Sequence, residues 1–154
     1  MKQIRILFIC FGNICRSPMA ELLMKELVKK QGAADRFYIS SAAISSDELG
    51  NPVYPPVRAL LNERGISCAG RAAVQVHSSD YDKYDYFIGM DSGNLRDMKR
   101  LFHGDPQNKV SLLLDYTDHP RNVADPWYTR NFREAEADIE CGCKALLDYL
   151  LSKE

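Results

Sequence analysis

With 154 residues, 45% hydrophobic and 27% charged, the chain has the size and composition of one globular domain that buries about two-thirds of its unfolded surface. A net charge of −1 gives no basic field for nucleic acid or an anionic membrane, and the apolar runs are strand-sized, which excludes a transmembrane helix. The five cysteines fit no zinc spacing, the three histidines are scattered and no signal-peptide layout opens the chain, so the expectation is a cytoplasmic protein with no metal, no cofactor and no disulfide scaffold.

The apolar run Ile4, Ile6, Leu7, Phe8, Ile9 reads as a first strand ending at Cys10. A short loop follows, and residues 17 to 31 read as a helix stopped by Gly32. Phe37, Tyr38 and Ile39 open a second strand over 37 to 43. After a polar stretch from Ser45 to Pro52, Pro55 and Pro56 start a helix with Val57, Leu60 and Leu61 on its apolar face and Gly65 at its end. Residues 66 to 76 read as an irregular connection, and His77 to Asp80 as a cap or turn.

Tyr86, Phe87, Ile88 and Met90 make a third strand ending at Asp91, and Leu95, Met98 and Leu101 recur at helical spacing. Val110, Leu112, Leu113 and Leu114 form a fourth strand. Asp115 to Tyr128 is polar and aperiodic, and a loop of that length in a compact domain is more often functional than idle. A long final helix carries Phe132, Ala135, Ile139, Leu146, Leu147, Leu150 and Leu151. Apolar strands alternating with helices predict a doubly wound parallel sheet, with ligands beyond the carboxyl ends of its strands, where Cys10 stands.

The loop Cys10-Phe11-Gly12-Asn13-Ile14-Cys15-Arg16-Ser17-Pro18 has a specific chemical use. Wrapped round a phosphate-sized anion, it points backbone N–H groups inward, at the positive end of a helix dipole. Arg16 can grip two phosphoryl oxygens with its planar fork. The same field favours thiolate at Cys10, which makes it a nucleophile. Gly12 allows a backbone conformation closed to other residues, Asn13 can bond its own backbone, and Ser17 lies within reach of the sulfur.

The extended string through Met19-Ala20-Glu21 resembles the signature of the low-molecular-weight protein tyrosine phosphatases, as do Met90 to Arg96 and Asp125-Pro126-Trp127-Tyr128. The resemblance runs nearly the full chain and implies one domain over 1–154, a three-layer α/β/α sandwich with sheet order 2-1-3-4. It implies Cys10 as nucleophile, Arg16 and the loop residues Phe11 to Ser17 as phosphate binders, and Asp125 as general acid. Phe11, Ile14, Trp127 and Tyr128 are expected to wall the substrate ring. Asp115 and Asp118 match no motif and are expected to be solvated. The substrates implied are phosphotyrosine proteins, acted on by a monomer or weak dimer.

One segment departs from the pattern. Many relatives carry a His and an Arg after the equivalent of Gly65-Ile66, whereas this chain reads Gly70-Arg71-Ala72-Ala73-Val74-Gln75. The family histidine helps to hold the loop asparagine, so either Arg71 substitutes for it or the loop is less rigid. Protein-arginine phosphatase is the nearest alternative; its loop carries threonine where this chain has apolar Ile14, which favours phosphotyrosine. Thioredoxin-coupled arsenate reductase needs redox cysteines that are missing between Cys68 and Cys141. A redox-sensing phosphate-binding module, with Cys10 and Cys15 forming a protective disulfide, is the alternative of another class.

Overall fold

The computed structural model describes residues 2–153. Four parallel strands, β1 (Ile4–Cys10), β2 (Phe37–Ala43), β3 (Tyr86–Gly89) and β4 (Val110–Leu112), form one sheet in the order β2-β1-β3-β4, as expected. Alternate side chains of β1 feed two cores. Ile6, Phe8 and Cys10 face α1 (Arg16–Lys30), α2 (Pro55–Glu63) and α5 (Phe132–Ser152), while Leu7 and Ile9 face α3 (Ser92–Leu101) with Met98 and Phe102. A central strand buried on both faces reads as a continuous apolar run, which is why β1 was legible.

Two strands end earlier than their hydrophobic runs. β3 stops at Gly89, because Met90 N–H donates to Asn94 Oδ1 and so belongs to the cap of α3. β4 stops at Leu112, whose N–H donates to the Asp115 carboxylate and turns the chain into a 3-10 segment, Leu113–Tyr116. Leu113 and Leu114 are wholly buried, but in the layer of α5 and not in the sheet. Asp115 is exposed as expected, yet it fixes this turn instead of standing idle in solvent.

The connection over 66 to 76 is also more ordered than its sequence. Ala43 N–H donates to Val74 O and Val76 N–H to Ala43 O, so this stretch lies against the end of β2. Gly50 and Asn51 are tied to it through Gly50 N–H to Ala73 O and Ala73 N–H to Asn51 O. The polar loop after β2 is thereby held beside the carboxyl end of β1.

The long loop after β4 is anchored at Val123, which is buried and donates its N–H to Met90 O. It then forms a single-turn helix, α4 (Pro126–Thr129), with Asp125 as its cap and Pro126 at its first position. This brings Asp125 back to the carboxyl edge of the sheet, above Cys10.

Candidate active site

β1 delivers Cys10 into the floor of a cleft of about 230 Å³, and α1 begins only six residues further on. The Cys10 sulfur is buried and receives Asn13 N–H at 3.3 Å and Ser17 N–H at 3.4 Å, with Ser17 Oγ at 3.0 Å. Donors converging on sulfur at a helix N-terminus stabilise the anionic form of a thiol. Cys15, next to it, is different. Burial first, and the charge of Cys10 second, push its thiol from 9.0 up to about 12, so it stays protonated. All five cysteines are free, so the Cys10–Cys15 disulfide is not formed in this structure.

The left-handed residue in the loop is Asn13, with φ 60°, and not Gly12. Asparagine tolerates that region through its short polar side chain. Asn13 bonds other elements and not its own backbone: Nδ2 donates to Ser17 Oγ (2.8 Å) and Ser41 Oγ (3.0 Å), and Oδ1 accepts Val74 N–H (3.1 Å). A Cβ at Gly12 would meet Glu48 Cγ at 3.3 Å, a tight contact with a flexible side chain.

Arg16 is 3% exposed, which for an arginine requires partners on every side. Its Nη1 donates to Val123 O at 2.8 Å and lies 2.9 Å from Asp91 Oδ2; its Nη2 faces Asp125 Oδ2 at 3.4 Å. Asp125 Oδ1 accepts Trp127 N–H at 2.9 Å, which orients the carboxyl group over the cleft. Cys10, Arg16 and Asp125, far apart in sequence, thus line one cavity.

Of the expected wall, Phe11, Ile14, Trp127 and Tyr128 all line the cleft. Phe11 and Trp127 are half exposed and Tyr128 is 82% exposed, so the ring-sized opening has apolar flanks accessible from solvent. Trp127 is also an anchor, packed on Tyr54 with ring centroids 5.2 Å apart. Tyr54 in turn donates its N–H to Ile14 O and so ties the aromatic corner to the loop.

Sequence reasoning did not single out Asp91, Ser41, Tyr54, Asp47 or Glu48 for the site. Asp91 lies two residues beyond the end of β3, and Asp47 and Glu48 follow β2, so the rule that ligands bind beyond strand carboxyl ends was the available signal. Asp47 and Glu48 bring two carboxyl groups to the lining of the cleft. Asp118 is exposed and lines no part of this cleft. Among the described residues no group of three or more His, Cys, Asp or Glu could hold a metal ion.

A buried sulfur under a helix N-terminus, a buried guanidinium and a facing carboxyl group, on a 2-1-3-4 parallel sheet, are groups of the kind that phosphoester hydrolysis uses. The comparisons agree. The family model for the low molecular weight phosphotyrosine protein phosphatase matches residues 5–154. The low molecular weight protein-tyrosine-phosphatase YfkJ of Bacillus subtilis is 38% identical over 147 residues, covering 94% of each chain. The low molecular weight phosphotyrosine protein phosphatase of Gallus gallus is 36% identical over 149 residues, covering 93% of each. The crystal structure of YfkJ superposes with a TM-score of 0.96 at 36% identity over 100% of this chain and 98% of that one. That of DARP, a Drosophila arginine phosphatase, gives 0.86 at 28% identity over 97% and 98%. The chain belongs to the low molecular weight phosphotyrosine protein phosphatase family.

Proposed function

We propose that residues 1–154 act as a single catalytic domain that hydrolyses phosphotyrosine in proteins by a two-step displacement at Cys10. The Cys10 thiolate attacks phosphorus in line with the tyrosyl oxygen; the S–P bond forms as the P–O bond breaks. Asp125, protonated, gives its proton to the departing phenolate. Asp125, now a carboxylate, takes a proton from water, whose oxygen attacks the phosphocysteine. Inorganic phosphate leaves and the thiolate returns. Arg16 and the N–H groups of residues 11–17 hold the equatorial oxygens, where the developing charge resides.

The observation that carries this reading is the convergence of Asn13 N–H, Ser17 N–H and the Ser17 hydroxyl on Cys10 Sγ, beneath a cleft that also holds Arg16 and Asp125. The apolar Ile14 and the aromatic flanks suit a tyrosyl ring. The acidic pair Asp47 and Glu48 supports a second reading, in which phosphoarginine, with its guanidinium toward that pair, enters the same cleft. Action in the cytoplasm fits the free cysteines, and among the described residues no helix is long and apolar enough to cross a membrane.

Phosphate release from a phosphotyrosine peptide and a phosphoarginine peptide, assayed side by side at several pH values, tests the assignment. Phosphotyrosine turnover with a bell-shaped profile on the acid side is expected. A preference for phosphoarginine would overturn the substrate and leave the displacement standing. Phosphate binding without turnover of either peptide would leave only a binding module.

A further inference from the structure

α3 turns its apolar residues inward and a row of cations outward. Asn94, Met98 and the capping Phe102 are buried, while Arg96, Lys99 and Arg100 are exposed, as is His103 just past the helix end. Positions three and four apart share one helix face, so the three cations form a continuous basic track. Asp97 is the one acid within α3. It stands 3.9 Å from Arg96 and 3.6 Å from Arg100, whose side chains are 68% and 75% exposed, and pairs so open hold little.

Arg96 is the cation that the helix itself does not explain. Lys99 and Arg100 sit in the last turn, where the dipole favours positive charge. Arg96 folds back toward the first turn: a Cβ on Gly93 would lie 3.6 Å from Arg96 Nη2 and 3.2 Å from Asp91 Oδ1. Its guanidinium is therefore within about 7 Å of the carboxylate that holds Arg16, at the helix end where the dipole disfavours a cation. A cation so placed gains most from an anion that arrives with the substrate.

The sheet order puts β2 and β3 on opposite sides of β1. Cys10 is thus flanked by Asp47 and Glu48, which follow β2, and by the basic track, which follows β3. A substrate chain crossing the cleft meets unlike charge on its two sides. Ten residues of helix are about 15 Å long and an extended chain rises about 3.3 Å per residue, so α3 spans about four or five residues of it.

We infer that Arg96, Lys99 and Arg100 dock an acidic segment of the phosphoprotein, a run of Asp or Glu a few residues from the phosphorylated side chain, and so select which sites are dephosphorylated. The track is one helix wide, which suits a peptide strand. A nucleic acid or an anionic bilayer would also meet the rest of a chain whose net charge is −1. The inference rests on the reading of the cleft as a phosphotyrosine site, and a separate binding readout keeps the two apart.

The experiment uses three phosphotyrosine peptides of equal length: one without acids, one with three Glu before the phosphotyrosine and one with three Glu after it. kcat and KM are measured at about 0.05 and 0.5 M salt, and Kd is read by fluorescence anisotropy on the same sequences carrying a non-hydrolysable phosphonate. Native protein is compared with Arg96→Gln/Lys99→Gln/Arg100→Gln and with Arg96→Lys/Arg100→Lys. In native protein at low salt one acidic peptide should exceed the neutral one by about tenfold in kcat/KM, through KM, and lose that advantage at high salt. The Gln variant should show no advantage, and the Lys variant should keep most of it, because charge and not fork geometry reads the segment. Equal kcat/KM and Kd on all three peptides, or an advantage that survives in the Gln variant, would overturn the inference. Peptides that stay equal while vesicles with about 30% phosphatidylserine retain native protein but not the Gln variant would overturn it too, and give the track to a lipid surface. No turnover of any peptide, with the acidic advantage present in Kd, would sink the phosphotyrosine reading and leave the docking track.

Discussion

The guanidinium of Arg16 is docked on the carboxylate of Asp91, with Nη1 2.9 Å from Oδ2. The other Asp91 oxygen, Oδ1, accepts Asn94 N–H at 2.8 Å and caps α3. One side chain thus does two separable things: it aims the arginine of the phosphate loop and it closes a helix. An arginine with side-chain exposure of 4% needs that anchor, because an unpaired buried guanidinium is costly.

Asp91→Asn keeps an acceptor for the cap but removes the charge that aims Arg16. It is expected to lower kcat/KM by about tenfold or more, and to lower the melting temperature by less than Asp91→Ala does. Asp91→Ala loses both roles, costs about 2 kcal/mol and lowers the melting temperature by roughly 4–8 °C. Steady-state kinetics and thermal melts of the two variants separate the roles. Equal melting temperatures for the two variants would show that the cap carries no weight.

Asp125→Asn separates proton donation from loop structure, because the amide retains an oxygen to accept Trp127 N–H. With a phosphotyrosine peptide, whose leaving group needs a proton, kcat is expected to fall about 10²–10⁴-fold. With p-nitrophenyl phosphate, whose leaving group departs without one, the loss should be much smaller. Parallel kcat measurements on the two substrates decide it. An equal loss on both would assign Asp125 to orienting Arg16, its 3.4 Å neighbour, and not to acid catalysis.

The alkaline limb of stability follows from the buried thiols. Burial raises Cys15 from 9.0 to about 12 and also raises Cys143. In the unfolded chain these thiols lose protons near pH 9, while the folded protein keeps them. Between about pH 9 and 12 the unfolded state therefore binds fewer protons, and stability falls as pH rises. The contribution is intact below about pH 9. Melting temperatures from about pH 7.5 to 10.5 should drop above pH 9, and the drop should be shallower in Cys15→Ala. An identical slope in that variant would exclude Cys15 as a source.

The strand–loop–helix arrangement around Cys10 to Ser17 was legible because its parts are contiguous: strand, loop and helix follow one another without interruption. Asp125 was legible only through its resemblance to a known motif, because its position depends on Val123 docking against Met90 in space. Asp91 and Ser41 were given no place in the site for the same reason; each is an ordinary cap or strand residue until the fold brings the elements together. The misread strand ends have one cause. Leu113, Leu114 and Met90 are as apolar as strand residues, but α5 and the α3 cap compete for them and win. Periodicity reports burial and does not report which neighbour does the burying. The left-handed position was expected at Gly12 and lies at Asn13, whose side chain is held by bonds to Ser17, Ser41 and Val74 that the sequence does not show.

Arg130 offers a test of how the acid loop is held. It caps α4 in the left-handed region, at φ 58°, where a side-chain-bearing residue costs about 1 kcal/mol or more. Its guanidinium lies over the rings of Phe132, Trp127 and Tyr54 at 5.4, 5.8 and 5.9 Å, contacts worth about 0.5–1 kcal/mol each at exposed positions. The strain and the ring contacts therefore nearly offset. Arg130→Gly removes both and should melt within about 3 °C of native, whereas Arg130→Ala keeps the strain, loses the rings and should be less stable by about 1–2 kcal/mol. Trp127 is the single tryptophan of the chain, so its emission reports the corner directly. In both variants Trp127 should become more accessible to acrylamide, and KM for an aryl phosphate should rise a few-fold with kcat nearly unchanged. If quenching and KM match the native protein, Tyr54 alone holds Trp127 in place, and Arg130 is a helix terminator without influence on the cleft.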